Sequence, residues 1–461
     1  MLSRPDVQEA YPWVLLRRDD ATVLYNRASL AVLACGAGGA GQDIGALTAT
    51  IELPAAQEPA APAVARAVSR AFQPILSGSP SRLGRLTINI ANACNLWCSY
   101  CYADHGQYHA PSSLMPPEMA VNIVERCLTF YPLIRSLQFF GGEPLLNPDA
   151  IEAVCEHLTQ RFGQRRPKLV ATTNGTILDD RIADLLAKYE IGLTISIDGP
   201  REIHDRLRPT RSMRSSHDLV TRNVAAFRKL GIEVDVECTY TSAHVRSGVS
   251  VIDLMGYFHD ELDIGVPHIA WAYLPKPREV GTDELSSNVF RGAVDAQMRE
   301  HVPAETLERE FRAAAALSVR NILRGEGPAL SFVVGIAGQL ASRTRTRNYC
   351  PAFNTQLSIS AQGDAFPCFM FYGDPRMNMG NIFAADFPGP RAREIWSRYA
   401  AEFGALPTGD DDWCSALVSG CVAGDYLATS GFSERPYRAV NRAMIEEVLL
   451  GLSRVANVQP A

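Results

Sequence analysis

Cys94, Cys98 and Cys101 lie in the run Ala93-Cys-Asn-Leu-Trp-Cys-Ser-Tyr-Cys-Tyr102, so three thiols share one short stretch. The spacing is C-x3-C-x2-C, with an aromatic residue, Tyr100, just before the last cysteine. Three thiolates on one loop can hold three irons of a [4Fe–4S] cube and leave the fourth iron open. An open iron can bind a substrate, whereas a fully ligated one cannot. The competing chemistry is a zinc knuckle. Structural zinc closes with four ligands, and no fourth Cys or suitably placed His completes such a site nearby.

The elements that would position this loop can be read from hydrophobic pattern. Candidate strands are 86–90, 136–140, 168–172, 192–197, 233–240 and 268–273, all rich in β-branched and aromatic residues. Helical patterns run between them. Ile182, Leu185, Leu186 and Tyr189 follow the i, i+3, i+4, i+7 rule, and Val220, Val224, Phe227 and Leu230 nearly do. Asn147-Pro148-Asp149 has the chemistry of a helix start: a capping side chain, Pro in the first turn, and an acid near the positive end. Six β/α units predict an α/β fold with a parallel sheet and right-handed crossovers.

Four short motifs then fall where strands end. The cysteine loop follows the first strand, Gly141-Gly142-Glu143-Pro144 the second and Thr173-Asn174-Gly175 the third, while Ser196 and Asp198-Gly199 end the fourth. Functional groups of parallel barrels gather at that rim. Glycines allow close backbone approach to a ligand, and exposed carbonyls with a carboxylate suit an ammonium group. An ordinary turn is the alternative for each motif taken alone.

The cysteine spacing with its aromatic residue resembles the signature of the radical S-adenosylmethionine (radical SAM) enzymes. The resemblance implies a partial (β/α)6 TIM-type barrel whose open iron chelates the amino and carboxylate groups of SAM. Reductive cleavage of SAM would give a 5′-deoxyadenosyl radical that removes hydrogen from an unreactive carbon. It also implies that Gly141, Gly142, Glu143 and Pro144 bind the SAM amino group, with Asn174 on the same rim. Ser196 and Asp198 would meet the SAM carboxylate or ribose, Arg208 would pair with the carboxylate, and Tyr100 would pack near the adenine. The run Ser196 to Arg208, with Cys101-Tyr-Ala-Asp104 and GGEP, is similar to the peptide-modifying branch, which includes peptide maturases and anaerobic sulfatase-maturing enzymes.

A second cysteine set lies downstream. Cys350, twelve residues, Gly363, four residues and Cys368 form a pattern that resembles the opening of the SPASM or shorter twitch extension. Gly380-Asn381-Ile382 and Trp396 also resemble it. Cys414 and Cys421 would complete four thiolates, enough for one auxiliary [4Fe–4S] cluster with no open iron. The C-x2-C-x5-C-x3-C run of full SPASM extensions is absent, which leaves Cys414 and Cys421 less fixed than Cys350 and Cys368. Buried free cysteines or a zinc site are the alternatives. Cys35, Cys127, Cys155 and Cys238 sit in apolar or regular segments and read as small buried hydrophobes. Arg343, Arg345 and Arg347 precede Cys350 and read as a solvated loop, as does Asp410-Asp411-Asp412.

The chain has 461 residues, 47% hydrophobic and 20% charged, with formal net charge −6 and eleven cysteines. That suits a globular chain of about three domains. Without a long basic block, nucleic acid and anionic membranes are poor partners. No eighteen-residue apolar run is present to span a bilayer, and the N-terminus carries no secretory signal pattern. The cysteines therefore read as reduced thiols or metal ligands of a cytoplasmic protein.

Four regions are expected. Residues 1–80 form a small N-terminal α+β module with a hairpin at 13–26, one amphipathic helix at 63–72 and a linker. Residues 81–285 form the barrel, 286–340 bridging helices, and 341–461 the twitch/SPASM-like extension, closed by a helix over 437–455 with Val440, Met444, Val448 and Leu452 on its core face. Many peptide-modifying relatives carry a winged-helix-like leader-peptide-binding domain at the N-terminus, to which the hairpin is compatible although short; a simple cap on the barrel is the alternative. The resemblance implies a radical SAM maturase that forms a thioether or carbon–carbon cross-link in a ribosomally made precursor peptide, served by a reducing partner such as flavodoxin or ferredoxin. Formylglycine formation in a sulfatase and radical dehydrogenation of a small molecule are alternatives.

Overall fold

The computed structural model describes residues 2–34 and 82–456, apart from 274–300, 343–349, 405–413 and the positions 11, 12, 20, 28, 109, 415, 416, 418, 419, 430 and 432–435. The proposed helix at 63–72, Cys35, Arg343, Arg345, Arg347 and Asp410-Asp411-Asp412 lie outside the described residues.

Thirteen strands are described. β1 (Asp6–Ala10), β2 (Trp13–Arg18), β3 (Ala21–Asn26) and β4 (Ala31–Ala34) form one antiparallel sheet in sequence order. The expected hairpin is β2–β3, with Arg18 opposite Ala21, and it is flanked by two further strands that the sequence reading left unassigned.

The second sheet contains β5 (Arg82–Asn92), β6 (Ser113–Leu114), β7 (Leu133–Gly141), β8 (Lys168–Thr173), β9 (Gly192–Ser196), β10 (Val234–Tyr240), β11 (His268–Trp271), β12 (Gln356–Ile359) and β13 (Ala365–Phe366). Its order is β11-β10-β9-β8-β7-β5-β12-β13, with β6 beside β5. The six expected strands are present in parallel. The extension does not start a sheet of its own: β12 pairs parallel with β5, Gln356 opposite Arg85 and Ile359 opposite Ile88.

Twelve longer helices connect the strands: α1 (Pro117–Phe130), α2 (Pro148–Phe162), α3 (Asp180–Lys188), α4 (Arg201–Leu207), α5 (His217–Lys229), α6 (Ser242–Arg246), α7 (Val251–Asp260), α8 (Ala304–Arg324), α9 (Ser331–Ser342), α10 (Pro390–Gly404), α11 (Val422–Thr429) and α12 (Arg438–Ala456). Asn147 caps α2 by accepting from Ala150 N, and its amide donates to Ile90 O at 2.8 Å and Met115 O at 2.9 Å. One side chain thus starts the helix and fixes it to the first barrel strand. Ile182, Leu185, Leu186 and Tyr189 are buried as the pattern predicts, each large aliphatic contributing about 1.5–3 kcal/mol. On α5 the stripe stops early. Val220, Val224 and Phe227 are buried, but Leu230 lies past the last helical residue and is exposed.

α12 packs on β2, β3 and β4, and also on α8. Val440, Met444 and Val448 are buried and Leu452 packs against the same core. A buried ion network reinforces this joint: Arg18 on β2 pairs with Glu447 on α12, which also accepts from Arg312 on α8 at 3.2 Å. The N-terminal sheet is therefore fastened to the C-terminal helix.

Candidate active site

The cysteine loop sits at the C-terminal end of β5 and is held by the strands beside it. Glu143 N donates to Ala93 O at 2.9 Å, and Trp97 N and Ser99 N donate to Pro209 O and Leu207 O. Two glycines permit the closest approach. A Cβ on Gly142 would lie 2.4 Å from Ala93 O, and one on Gly106 would lie 2.5 Å from Gly142 Cα. Trp97 stacks on His105 with ring centroids 3.5 Å apart.

A cavity of about 2060 Å³ opens over this loop, and Cys94, Cys98 and Cys101 line it. Sulfur receives N–H groups at each end of the loop: Leu96 N and Asn174 Nδ2 lie 3.5 and 3.7 Å from Cys94 Sγ, and Arg208 Nη1 lies 4.0 Å from Cys98 Sγ. Burial pushes the Cys94 thiol up to about 12 and also raises Cys98 and Cys101. Binding iron there would release protons. Among the described residues no three Cys, His, Asp or Glu side chains converge as a site for one metal ion. The donor set that the residues do present, three sulfurs with N–H partners around one wall of a cavity, fits a cube held by three thiolates with one iron facing the cavity.

The cavity wall separates the rim residues into two groups. Tyr100, Gly141, Gly142, Asn174, Ser196 and Arg208 line it, whereas Glu143, Pro144 and Asp198 do not. Glu143 is fully buried and turned into its own loop, accepting from Leu145 N at 2.9 Å, Thr173 Oγ1 at 2.7 Å and Asn174 N at 2.7 Å. Burial raises its carboxyl to about 7, against those hydrogen bonds. The glycine backbone faces the cavity here, and Glu143 is turned into the loop that carries it.

Asp198 is likewise turned away from the cavity. Its carboxylate accepts from Tyr100 Oη at 2.7 Å, Arg208 Nε at 2.8 Å and Thr239 N at 3.0 Å, with no exposure. Burial is the largest influence and would raise its pKa, but the charges of Arg208 and His204 and the hydrogen bonds from Tyr100 and Arg208 together hold it below the usual carboxylate range. Asp198 thus orients Tyr100 and Arg208. Tyr100 is tied by its hydroxyl, with the Arg208 guanidinium 5.3 Å from its ring centre. Arg208 keeps its Nη1 side toward Cys98 and the cavity.

The same cavity reaches the second cysteine set. Cys350, Cys368 and Cys421 line it; Cys414 is buried but is not part of the wall. Gly424 N donates to Cys421 Sγ at 3.3 Å. Gly363, in the left-handed region at φ +85, turns the chain between β12 and β13, and Asn381 Nδ2 braces that turn through Gln362 O at 2.9 Å. Cys127, Cys155 and Cys238 are buried as expected.

Sequence reasoning missed the residues between the two sets. Tyr102 and Tyr108 meet edge to face at 6.3 Å, Tyr108 meets Tyr372 at 5.3 Å, and Phe140 lies 4.2 Å from Phe369. Tyr108 Oη donates to Gly141 O at 3.2 Å. Two of these rings sit on the cysteine loop itself, which was the available signal.

The profile of the Radical SAM superfamily matches residues 88–247, the segment that carries the three cysteines, the glycine rim and Arg208. The chain carries a radical SAM domain. Domains of this family use a [4Fe–4S] cluster and SAM. Among curated proteins, the radical SAM cyclopropyl synthase TigE of Paramaledivibacter caminithermalis is 31% identical over 130 residues, 25% of this chain and 27% of that protein. The cysteine-type anaerobic sulfatase-maturating enzyme of Clostridium perfringens is 29% identical over 167 residues, 34% of this chain and 44% of that one. The chain thus spans less than half the length of these curated relatives. In fold, it resembles native anSMEcpe with bound AdoMet at a TM-score of 0.63 and 20% identity, covering 81% of this chain and 99% of that one. It also resembles Streptococcus suis SuiB bound to precursor peptide SuiA, at 0.51 and 14% identity, covering 94% and 100%. The radical SAM domain therefore sits in an α/β parallel-sheet fold shared with structures that carry SPASM-like extensions.

Proposed function

We propose that this radical SAM protein is a peptide maturase that oxidises a ribosomally made precursor peptide, closing a thioether or carbon–carbon cross-link. The observation that carries the reading is the single cavity joining the Cys94–Cys101 loop to Cys350, Cys368 and Cys421. When bound, the first cluster and SAM supply a 5′-deoxyadenosyl radical, and an auxiliary cluster supplies an acceptor for the electron that substrate oxidation releases.

The chain's own residues have separate tasks. Cys94, Cys98 and Cys101 would hold the first cluster, and Cys350, Cys368 and Cys421 the auxiliary one. Gly141 and Gly142 offer backbone to the SAM amino group, while Ser196 and Arg208 face its carboxylate or ribose. Asp198 keeps Arg208 extended toward that place. Tyr102, Phe140, Phe369 and Met370 line the space between the two thiol sets, where they exclude water from the reacting carbon.

The likeness in fold to SuiB bound to precursor peptide SuiA supports a peptide substrate. The N-terminal sheet is assigned to leader-peptide capture by strand addition at an edge of the β1–β4 sheet, and a flavodoxin or ferredoxin would supply the electron for SAM cleavage. Among the described residues no helix is long and apolar enough to cross a membrane. Formylglycine formation is the second reading, favoured by the sequence likeness to the sulfatase-maturating enzyme.

The test is incubation of reconstituted protein with SAM, reductant and short peptides encoded beside it, read by mass spectrometry. A peptide lighter by one hydrogen pair, with a new link between two residues, supports the proposal. Conversion of a single Ser or Cys in a sulfatase peptide, with no link in any precursor, overturns it in favour of the second reading.

A further inference from the structure

Arg85 lies on β5, directly opposite Gln356 of β12. The backbone N–H groups of Gly84 and Arg85 both donate to Thr355 O, at 2.8 and 3.1 Å. A Cβ on Gly84 would come 2.8 Å from Thr355 Oγ1, so glycine is what lets this turn sit so close. The turn is itself tight: Asn354, Thr355 and Gln356 all donate their N–H groups to Pro351 O. Cys350 is the next residue back. The distance from Arg85 to the Cys350 turn is therefore set by backbone, not by mobile side chains.

Arg85 lines the common cavity together with Cys350 and Cys368. Three other cations along that cavity have their own anions: Lys168 pairs with Glu233, Arg208 with Asp198 and Arg228 with Asp263. Arg85 has no carboxylate partner and no side-chain hydrogen bond among the described residues. A half-buried guanidinium without a counter-charge is costly unless an anion joins it. A cluster ligated by three or four thiolates is such an anion, and net charge near a cluster sets its reduction potential.

We infer that Arg85 is the built-in counter-cation of the auxiliary cluster, held by β5 against the Cys350 turn to raise that cluster's reduction potential above the value its thiolates alone would give. The inference rests on the auxiliary-cluster part of the proposed function. A nearby positive charge stabilises the reduced, more negative state, so the cluster accepts an electron more readily. Arg85 is a positioning residue: it lies toward the start of β5, whereas the Cys94–Cys101 loop follows the end of that strand.

The experiment is a redox titration of both clusters, followed by electron paramagnetic resonance, in wild type, R85K, R85Q and R85M. R85Q and R85M are expected to lower the auxiliary cluster's electron-binding constant about tenfold, which is about 59 mV for one electron. R85K is expected to stay near wild type, and the potential of the Cys94–Cys101 cluster is expected to be the same in all four. A fold defect would move both potentials and would not be rescued by the retained charge of lysine. Two clusters in wild type with an auxiliary potential that R85Q and R85M leave unchanged, or that R85K lowers as much as they do, overturns this inference alone. Failure of wild type to assemble a second cluster overturns it together with the auxiliary-cluster reading.

Discussion

Asp198→Asn should loosen the rim more than its small change in size suggests. The carboxylate has one oxygen toward Thr239 N and the other toward Tyr100 Oη and Arg208 Nε, and it is wholly buried. An amide has one oxygen and one NH2. It can satisfy Thr239 or the Tyr100–Arg208 pair, and the other side then faces a donor. A buried donor left unsatisfied costs about 1–3 kcal/mol, and a buried ion pair broken from one side about 3–5 kcal/mol. We expect about 3 kcal/mol, a value between those bounds. Hydrogen–deuterium exchange reads this locally: protection at Thr239 N–H should fall about a hundredfold, since about 1.4 kcal/mol is tenfold. Reductive SAM cleavage, followed as 5′-deoxyadenosine, should fall at least tenfold because Arg208 loses its anchor beside Cys98. The double variant Asp198→Asn/Arg208→Gln removes the stranded charge as well. It should recover about 1 kcal/mol or more of the lost protection. Protection at Thr239 that stays within threefold of wild type in Asp198→Asn, or a double variant worse than the sum of the singles, would show that Asp198 does not anchor the rim.

Three further outcomes are expected. Glu447→Gln strands Arg18 in the joint between the N-terminal sheet and α12, while Arg312 keeps Glu308 and Glu446; the loss should cost about 3–5 kcal/mol there, and exchange across β2 and β3 should rise while that of β8 and β9 stays unchanged. Gly142→Ala pushes a methyl group into Ala93 O, 2.4 Å away; because backbone must move, the first cluster should assemble to less than half its wild-type content, measured by iron and visible absorbance. Cys421→Ala should lose about four irons, more than Cys414→Ala, because Cys421 lies on the cavity wall with Cys350 and Cys368 and Cys414 does not; equal losses would place Cys414 among the ligands.

The parts that were legible in the sequence depend on short-range pattern. Runs such as Leu133–Gly141 and Val234–Tyr240 declare strands by their β-branched and aromatic content. Asn147-Pro148-Asp149 declares a helix start by local capping chemistry, and C-x3-C-x2-C places three thiols on one loop whatever surrounds it. The orientation of Glu143 and Asp198 was not legible. Which way each carboxylate turns is decided by donors at residues 173, 174 and 239, and those become neighbours only when the strands line up. The pairing of β12 with β5 joins residues 85 and 356, a register that no local pattern encodes. The Arg18–Glu447–Arg312 network has the same origin, in three segments far apart in sequence. Tyr102 and Tyr108 were visible as residues on the cysteine loop, but their place between two thiol sets follows from where the extension docks.

The proposed function requires that two separate thiol sets on one cavity hold two clusters, of which only the first cleaves SAM. Its most direct test is iron and sulfide content after anaerobic reconstitution, paired with reductive SAM cleavage, in wild type and in a variant with Cys94, Cys98 and Cys101 all changed to Ala. About eight irons are expected in wild type and about four in the variant, with 5′-deoxyadenosine formed by wild type alone. Zinc in place of iron, or SAM cleavage that survives the triple substitution, would contradict it.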